Sequence, residues 1–100
     1  MRLNYHRDKD CARFEISGEI DENGAQELKQ RFGEVELHGV KELVFDFGGV
    51  TYIGSAGLGK LLMFYKNLAV EGGRMRIENT CPQISELLEE LNLNKLFHVS

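Results

Sequence analysis

The chain has no tryptophan, one proline (Pro82) and two cysteines in 100 residues. A single proline excludes a proline-rich linker or recognition segment. Two cysteines, Cys11 and Cys81, are too few for a disulfide framework and read as reduced thiols of a cytosolic protein. Neither has a nearby Cys or His partner, and His6, His38 and His98 stand apart from one another. No metal-ligand spacing exists, and no cofactor motif is evident. Positive charge is not in excess: 12 Lys and Arg face 16 Asp and Glu, a net charge of -4. With no basic block or aromatic–basic ladder, direct nucleic-acid binding is not expected. No apolar run approaches the ~20 residues that a membrane span needs, and the N-terminus has no apolar signal region. The expectation is a soluble, cytoplasmic chain with no membrane span, one domain over residues 1–100.

The residues that are present alternate between strand and helix patterns. Leu3 to Arg7 reads as a weak strand. Ala12, Phe14 and Ile16 then alternate with polar residues, at the period of a half-buried strand ended by Gly18. A first helix follows, with Asn23 as N-cap, Gln26 as its capping-box partner, and Ala25, Leu28, Phe32 and Val35 on one face. Lys41 to Phe47 fits a buried central strand. From Ala56, the residues Leu58, Leu61, Leu62, Tyr65, Leu68 and Ala69 mark a second helix, which Gly72-Gly73 stops. Met75 and Ile77 define another strand. Thr80 caps a third helix with Pro82 in its first turn and Ile84, Leu87, Leu88 and Leu91 as its apolar stripe. Leu96 to Val99 reads as a last short strand. The predicted order is β-β-α-β-α-β-α-β, an α/β fold with a mixed sheet and helices on one face.

The most informative stretch is Leu43 to Lys60. An apolar run ends in Gly48-Gly49, and Val50-Thr51-Tyr52-Ile53-Gly54-Ser55-Ala56-Gly57-Leu58-Gly59 leads into the second helix. One hydroxyl, Ser55, is thereby delivered to a helix mouth, a place suited to modification or to holding an anion. A structural N-cap or turn serine is the plainer alternative. Gly54 to Lys60 also matches the phosphate-loop spacing G-x-x-x-x-G-K, but Leu61 stands where Mg²⁺ chemistry needs Ser or Thr. A serine hydrolase lacks its G-x-S-x-G elbow here. The chain is not expected to be an enzyme.

The order of elements and three blocks of sequence resemble the STAS domain, specifically the small bacterial anti-sigma factor antagonists (the SpoIIAA-like fold). The blocks are Gly18-Glu19-Ile20-Asp21, Val50 to Gly59, and Gly72-Gly73-Arg74-Met75 followed by the Pro82 helix and Leu96-Phe97. The resemblance implies that Ser55 is the phosphorylation site. It also implies that Asp21, Gly54, Ser55, Ala56 and Gly57 form the partner-binding surface. The implied partners are an anti-sigma factor that is itself a GHKL-type serine kinase, and a serine phosphatase that reverses it. The implied protein is a monomer or weak dimer that regulates transcription through its partner. Gly54 and Ala56 depart from the family's usual aspartate and serine or threonine. The alternative is a STAS interaction subunit or scaffold, of a transport or signalling complex, with no phosphorylation cycle.

Overall fold

The computed structural model describes Met1–Ser100. Its elements run β1 (Arg2–Asp8), β2 (Cys11–Ile20), α1 (Glu22–Gly33), β3 (Glu42–Ile53), α2 (Ser55–Val70), β4 (Arg74–Glu78) and α3 (Pro82–Glu90). The sheet order is β1-β2-β3-β4. β1 pairs antiparallel with β2, and β2, β3 and β4 are mutually parallel. Two right-handed crossovers running in the same direction across the sheet place α1 and α2 on one face. A single core forms there. Ala12, Phe14, Ile16, Leu43, Phe45, Phe47, Met75 and Ile77 from the strands meet Leu28 and Phe32 of α1, Leu61, Phe64 and Leu68 of α2, and Ile84 and Leu88 of α3. Four phenylalanines cross it from sheet to helices. Ring centroids are 5.6 Å apart for Phe14–Phe45, 6.0 Å for Phe45–Phe64 and 4.0 Å for Phe32–Phe64. Each buried side chain of this size contributes roughly 1.5–3 kcal/mol.

Several local expectations change. β3 does not stop at Phe47 but continues to Ile53. Two irregularities accommodate the extra length. The register passes from Glu15↔Asp46 to Ser17↔Gly49, and from Gly18↔Val50 to Glu19↔Tyr52, so β3 twice gains one residue over β2. These are β-bulges, which bend the strand and re-aim its side chains. Gly49 is needed at the first: a Cβ there would stand 2.4 Å from the Ser17 Cβ. Gly18, at φ +93°, lies inside β2 rather than ending it. Val35 falls outside α1, Ala69 is exposed on α2, and Phe64 is buried where the periodic reading passed over it. α3 is capped by Cys81 without a side-chain bond, while the Thr80 hydroxyl pairs with that of Ser85. The last strand reduces to one parallel bridge, Ile77↔Val99. Phe97 closes a local turn on Leu93 (2.9 Å), and Asn92 and His98 take positive φ, so extended geometry cannot develop.

The opposite face of the sheet is polar and self-neutralising. Arg13 of β2 donates to Asp46 of β3 (2.8 Å) and to Glu78 of β4 (3.2 Å), and Arg76 pairs with Glu78. Asp46 also accepts from the Gly48 N–H (2.9 Å) and from Asn79 (3.0 Å). Burial pushes the Asp46 carboxyl up, but the bonds from Asn79, Gly48 and Arg13 outweigh it and hold the group below its ordinary range. A depressed carboxylate contributes stability that is present above its unfolded pKa, about 3.9, and is lost as pH falls through the folded value. Asp46→Asn should therefore cost about 1 kcal/mol at neutral pH, given that Arg13 is partly exposed. It should also flatten the loss of stability below about pH 4. Urea unfolding of both proteins across that range measures this; parallel pH profiles would refute it.

Candidate functional site at the paired helix N-termini

The parallel pairing of β2 and β3 ends at Ile20↔Ile53. The next residue of each strand is a helix N-cap, Asp21 for α1 and Gly54 for α2. The Gly54 N–H donates to the Ile20 carbonyl at 3.0 Å, which extends the ladder to the point where both helices begin. Adjacent strands lie about 4.8 Å apart, so the two helix mouths sit side by side at the carboxyl ends of the parallel strands. Open α/β sheets place their binding sites at such an end.

The two mouths are built differently. Asp21 is extended (φ -84°, ψ -165°), and its carboxylate accepts from the Gly24 N–H at 2.8 Å. Asp21, not Asn23, is thus the cap; Asn23 lies within the first turn, exposed. A cap accounts for one side of this carboxylate and leaves the residue exposed to a partner. Gly54 is likewise extended (φ -95°, ψ 179°) but offers no side chain, so α2 has no side-chain cap. No acidic residue lies in the first turn of α2. The first N–H groups of a helix have no intrahelical acceptor, and they carry the positive end of its dipole. Ser55, the first residue of α2, is exposed among them.

The remaining residues set how close this surface lies to the core. Ala56 is half-buried and Gly57 is buried. A Cβ on Gly57 would stand 2.7 Å from Ile20 Cγ2 and 2.9 Å from Ile53 Cγ1. Glycine thus lets α2 lie directly on the ends of both strands, and Gly57 supports the site from beneath rather than presenting a surface. The structure brings Asp21, Gly54, Ser55 and Ala56 to one end of the molecule. It adds Tyr52, an aromatic side chain 51% exposed whose hydroxyl lies 2.9 Å from where a Gly54 Cβ would stand. The sequence analysis gives Tyr52 no role; its signal is a large aromatic on the outward phase set by Phe45, Phe47 and Ile53. The near-miss phosphate loop fails structurally as well. Helix starts at Ser55, so no loop of N–H groups wraps an anion, and the Leu61 side chain is fully buried.

The chain matches the STAS domain family over residues 2–100. It is 26% identical over 87 residues to a STAS-domain containing protein of Pseudomonas aeruginosa (strain UCBPP-PA14), covering 87% of this chain and 85% of that one. It is 24% identical over 100 residues to the anti-sigma F factor antagonist of Paenibacillus polymyxa, covering 99% and 84%. Among solved structures, it superposes on an anti-sigma factor antagonist from Mycobacterium paratuberculosis with a TM-score of 0.84 and 28% identity, over 98% of this chain and 83% of the other.

Substitutions at two positions separate scaffold from surface. Asp21→Ala should cost about 0.5–2 kcal/mol through loss of the cap, whereas Asp21→Asn, which can still accept from Gly24, should cost little. Gly57→Ala should destabilise by roughly 1–3 kcal/mol, because the added methyl has no room against Ile20 and Ile53. Urea midpoints decide both; a fully stable Gly57→Ala would contradict the close approach.

Proposed function

The chain belongs to the STAS domain family, and on that footing we propose that it is an anti-sigma factor antagonist switched by phosphorylation of Ser55. The observation that carries this reading is the placement of one exposed hydroxyl, Ser55, as the first residue of an uncapped helix, beside the exposed carboxylate of Asp21. The similarity to the antagonists of Paenibacillus polymyxa and Mycobacterium paratuberculosis supports it. The partner is an anti-sigma factor that is itself a serine kinase of GHKL type. It docks on the paired helix mouths through Asp21, Gly54, Ser55 and Ala56, which brings Ser55 Oγ to the γ-phosphate of bound ATP. The chain itself contributes the acceptor hydroxyl and no catalytic group. A serine phosphatase resets it.

The switch follows from electrostatics and volume. A phosphoryl group on Ser55 carries about -1.5 to -2 charges at neutral pH. The N-terminus of α2 favours that charge by roughly 0.3–1 kcal/mol, so the fold tolerates it. A docked partner does not, because bulk and charge then occupy the centre of the interface. A loss of ~3 kcal/mol weakens a complex more than a hundredfold. Unphosphorylated protein holds the anti-sigma factor and frees its sigma factor; phosphorylated protein releases it.

One observation favours a second reading. Gly54 supplies no carboxylate beside Ser55, as the family usually does. A STAS interaction subunit with no phosphorylation cycle would present the same surface permanently.

The two readings differ in one measurement. The native protein, recovered from its source cells and analysed by intact mass, should contain a fraction heavier by one phosphoryl group, absent in Ser55→Ala. Ser55→Asp should capture at least tenfold less of the anti-sigma kinase than the wild type, and Asp21→Asn should also bind more weakly although its fold is intact. A single unmodified mass under all growth conditions would defeat the switch and leave the constitutive module.

A further inference from the structure

Tyr52 is placed where a large aromatic side chain has no core to enter. It lies at the second bulge of β3, where Thr51 is the extra residue between the Gly18↔Val50 and Glu19↔Tyr52 pairs. The second bulge restores the phase that the first one shifted, so Tyr52, next to the buried Ile53, faces outward and is half exposed to water. Its ring runs toward the mouth of α2. The hydroxyl lies 2.9 Å, and Cε2 and Cζ each 3.5 Å, from the position a Gly54 Cβ would take. The phenol thus fills the volume of a side chain at position 54, one residue before Ser55. Glycine and tyrosine form a matched pair: any side chain at 54 would push the hydroxyl aside.

We propose that Tyr52 is a positioning residue of the Ser55 site, its phenol taking the place of a residue-54 side chain and donating a hydrogen bond to the phosphoryl group that Ser55 carries. The inference rests on the phosphorylation of Ser55 proposed above. The chemistry suits the place. A phosphoryl dianion needs donors, and the phenol O–H is one. The charged groups around the mouth are chiefly acidic: Glu19 in register with Tyr52, Asp21 as the α1 cap, and Glu22 in the first turn of α1. Lys60 follows in the second turn of α2. A neutral donor can hold the dianion without adding charge to the unphosphorylated surface, which stays open to its partner. The phosphorylated state is then kept in one orientation, with its charge directed outward.

The test uses the full chain with phosphoserine installed genetically at position 55, as wild type and as Tyr52→Phe, titrated by phosphorus NMR through the second phosphate pKa near 6. Tyr52→Phe keeps the ring and removes the donor. The helix terminus and every neighbouring charge are common to both proteins, so the difference reads the phenol alone. The phosphoserine pKa is expected to rise by roughly 0.5–1 unit in Tyr52→Phe. The unphosphorylated proteins are expected to unfold at the same urea concentration, which excludes a general loss of structure. Coincident phosphorus titrations would overturn the role of Tyr52. Because no kinase enters the experiment, absence of phosphorylation in the cell defeats the switch without touching this result. Coincident titrations leave the switch standing.

Discussion

The structure depends on the parallel pairing of β2 with β3. Every other element is placed from it. It starts at Cys11↔Glu42, beside the turn that returns from β1, and ends at Ile20↔Ile53, one residue before two helices. Both helices therefore start at the same height, and the Gly54 N–H bonded to the Ile20 carbonyl locks that alignment. A hydroxyl on one chain segment and a carboxylate on another become neighbours without either touching the other. The alignment also explains the glycines. Gly49 lets β3 gain a residue against Ser17, and Gly57 lets α2 rest on the two isoleucines that close the ladder.

The two faces of the sheet perform different tasks. The helix-covered face holds the core, with aromatic rings passing from Phe14 to Phe45 to Phe64. The bare face carries Arg13, Asp46, Glu78 and Arg76, which pair across three strands, although the buried Arg76 Nε has no hydrogen-bond partner. Pairing of this kind is worth little per bond when exposed. Its value lies in register: Arg13, Asp46 and Glu78 can converge only when β2, β3 and β4 are correctly aligned. A slip of one residue would drive these charges into the phenylalanine layer.

Much of this was legible in the residues. Period-two alternation in Ala12-Phe14-Ile16 and helical spacing in α2 placed the elements, and the Val50 to Gly59 block marked the candidate site at the mouth of α2. What was missed has physical causes. Gly48-Gly49 reads as a terminator, because glycine weakens strands; here it is the bulge that carries β3 onward, a role visible only when Ser17 lies across from it. Asn23 and Asp21 are both acceptable caps by residue type, and the carboxylate that reaches Gly24 depends on where β2 releases the chain. Leu96 to Val99 has strand-like composition, yet the turn at Leu93–Phe97 uses its backbone groups first. Tyr52 was hidden because its meaning comes from an absence, the missing side chain of Gly54.

The bridge between Ile77 and Val99 has a consequence for assembly. The outer edge of β4 is where another strand could join, and the chain's own last residues occupy it: Ser100 donates to the Ile77 carbonyl at 2.9 Å. At the other border, β1 is flanked by no strand and carries Arg2, Arg7 and Asp8 along an exposed ribbon. Charged edges resist indiscriminate pairing. The two borders of the sheet thus differ: β4 is covered at Ile77 by a segment of the same chain, whereas β1 is guarded only by the charges along it.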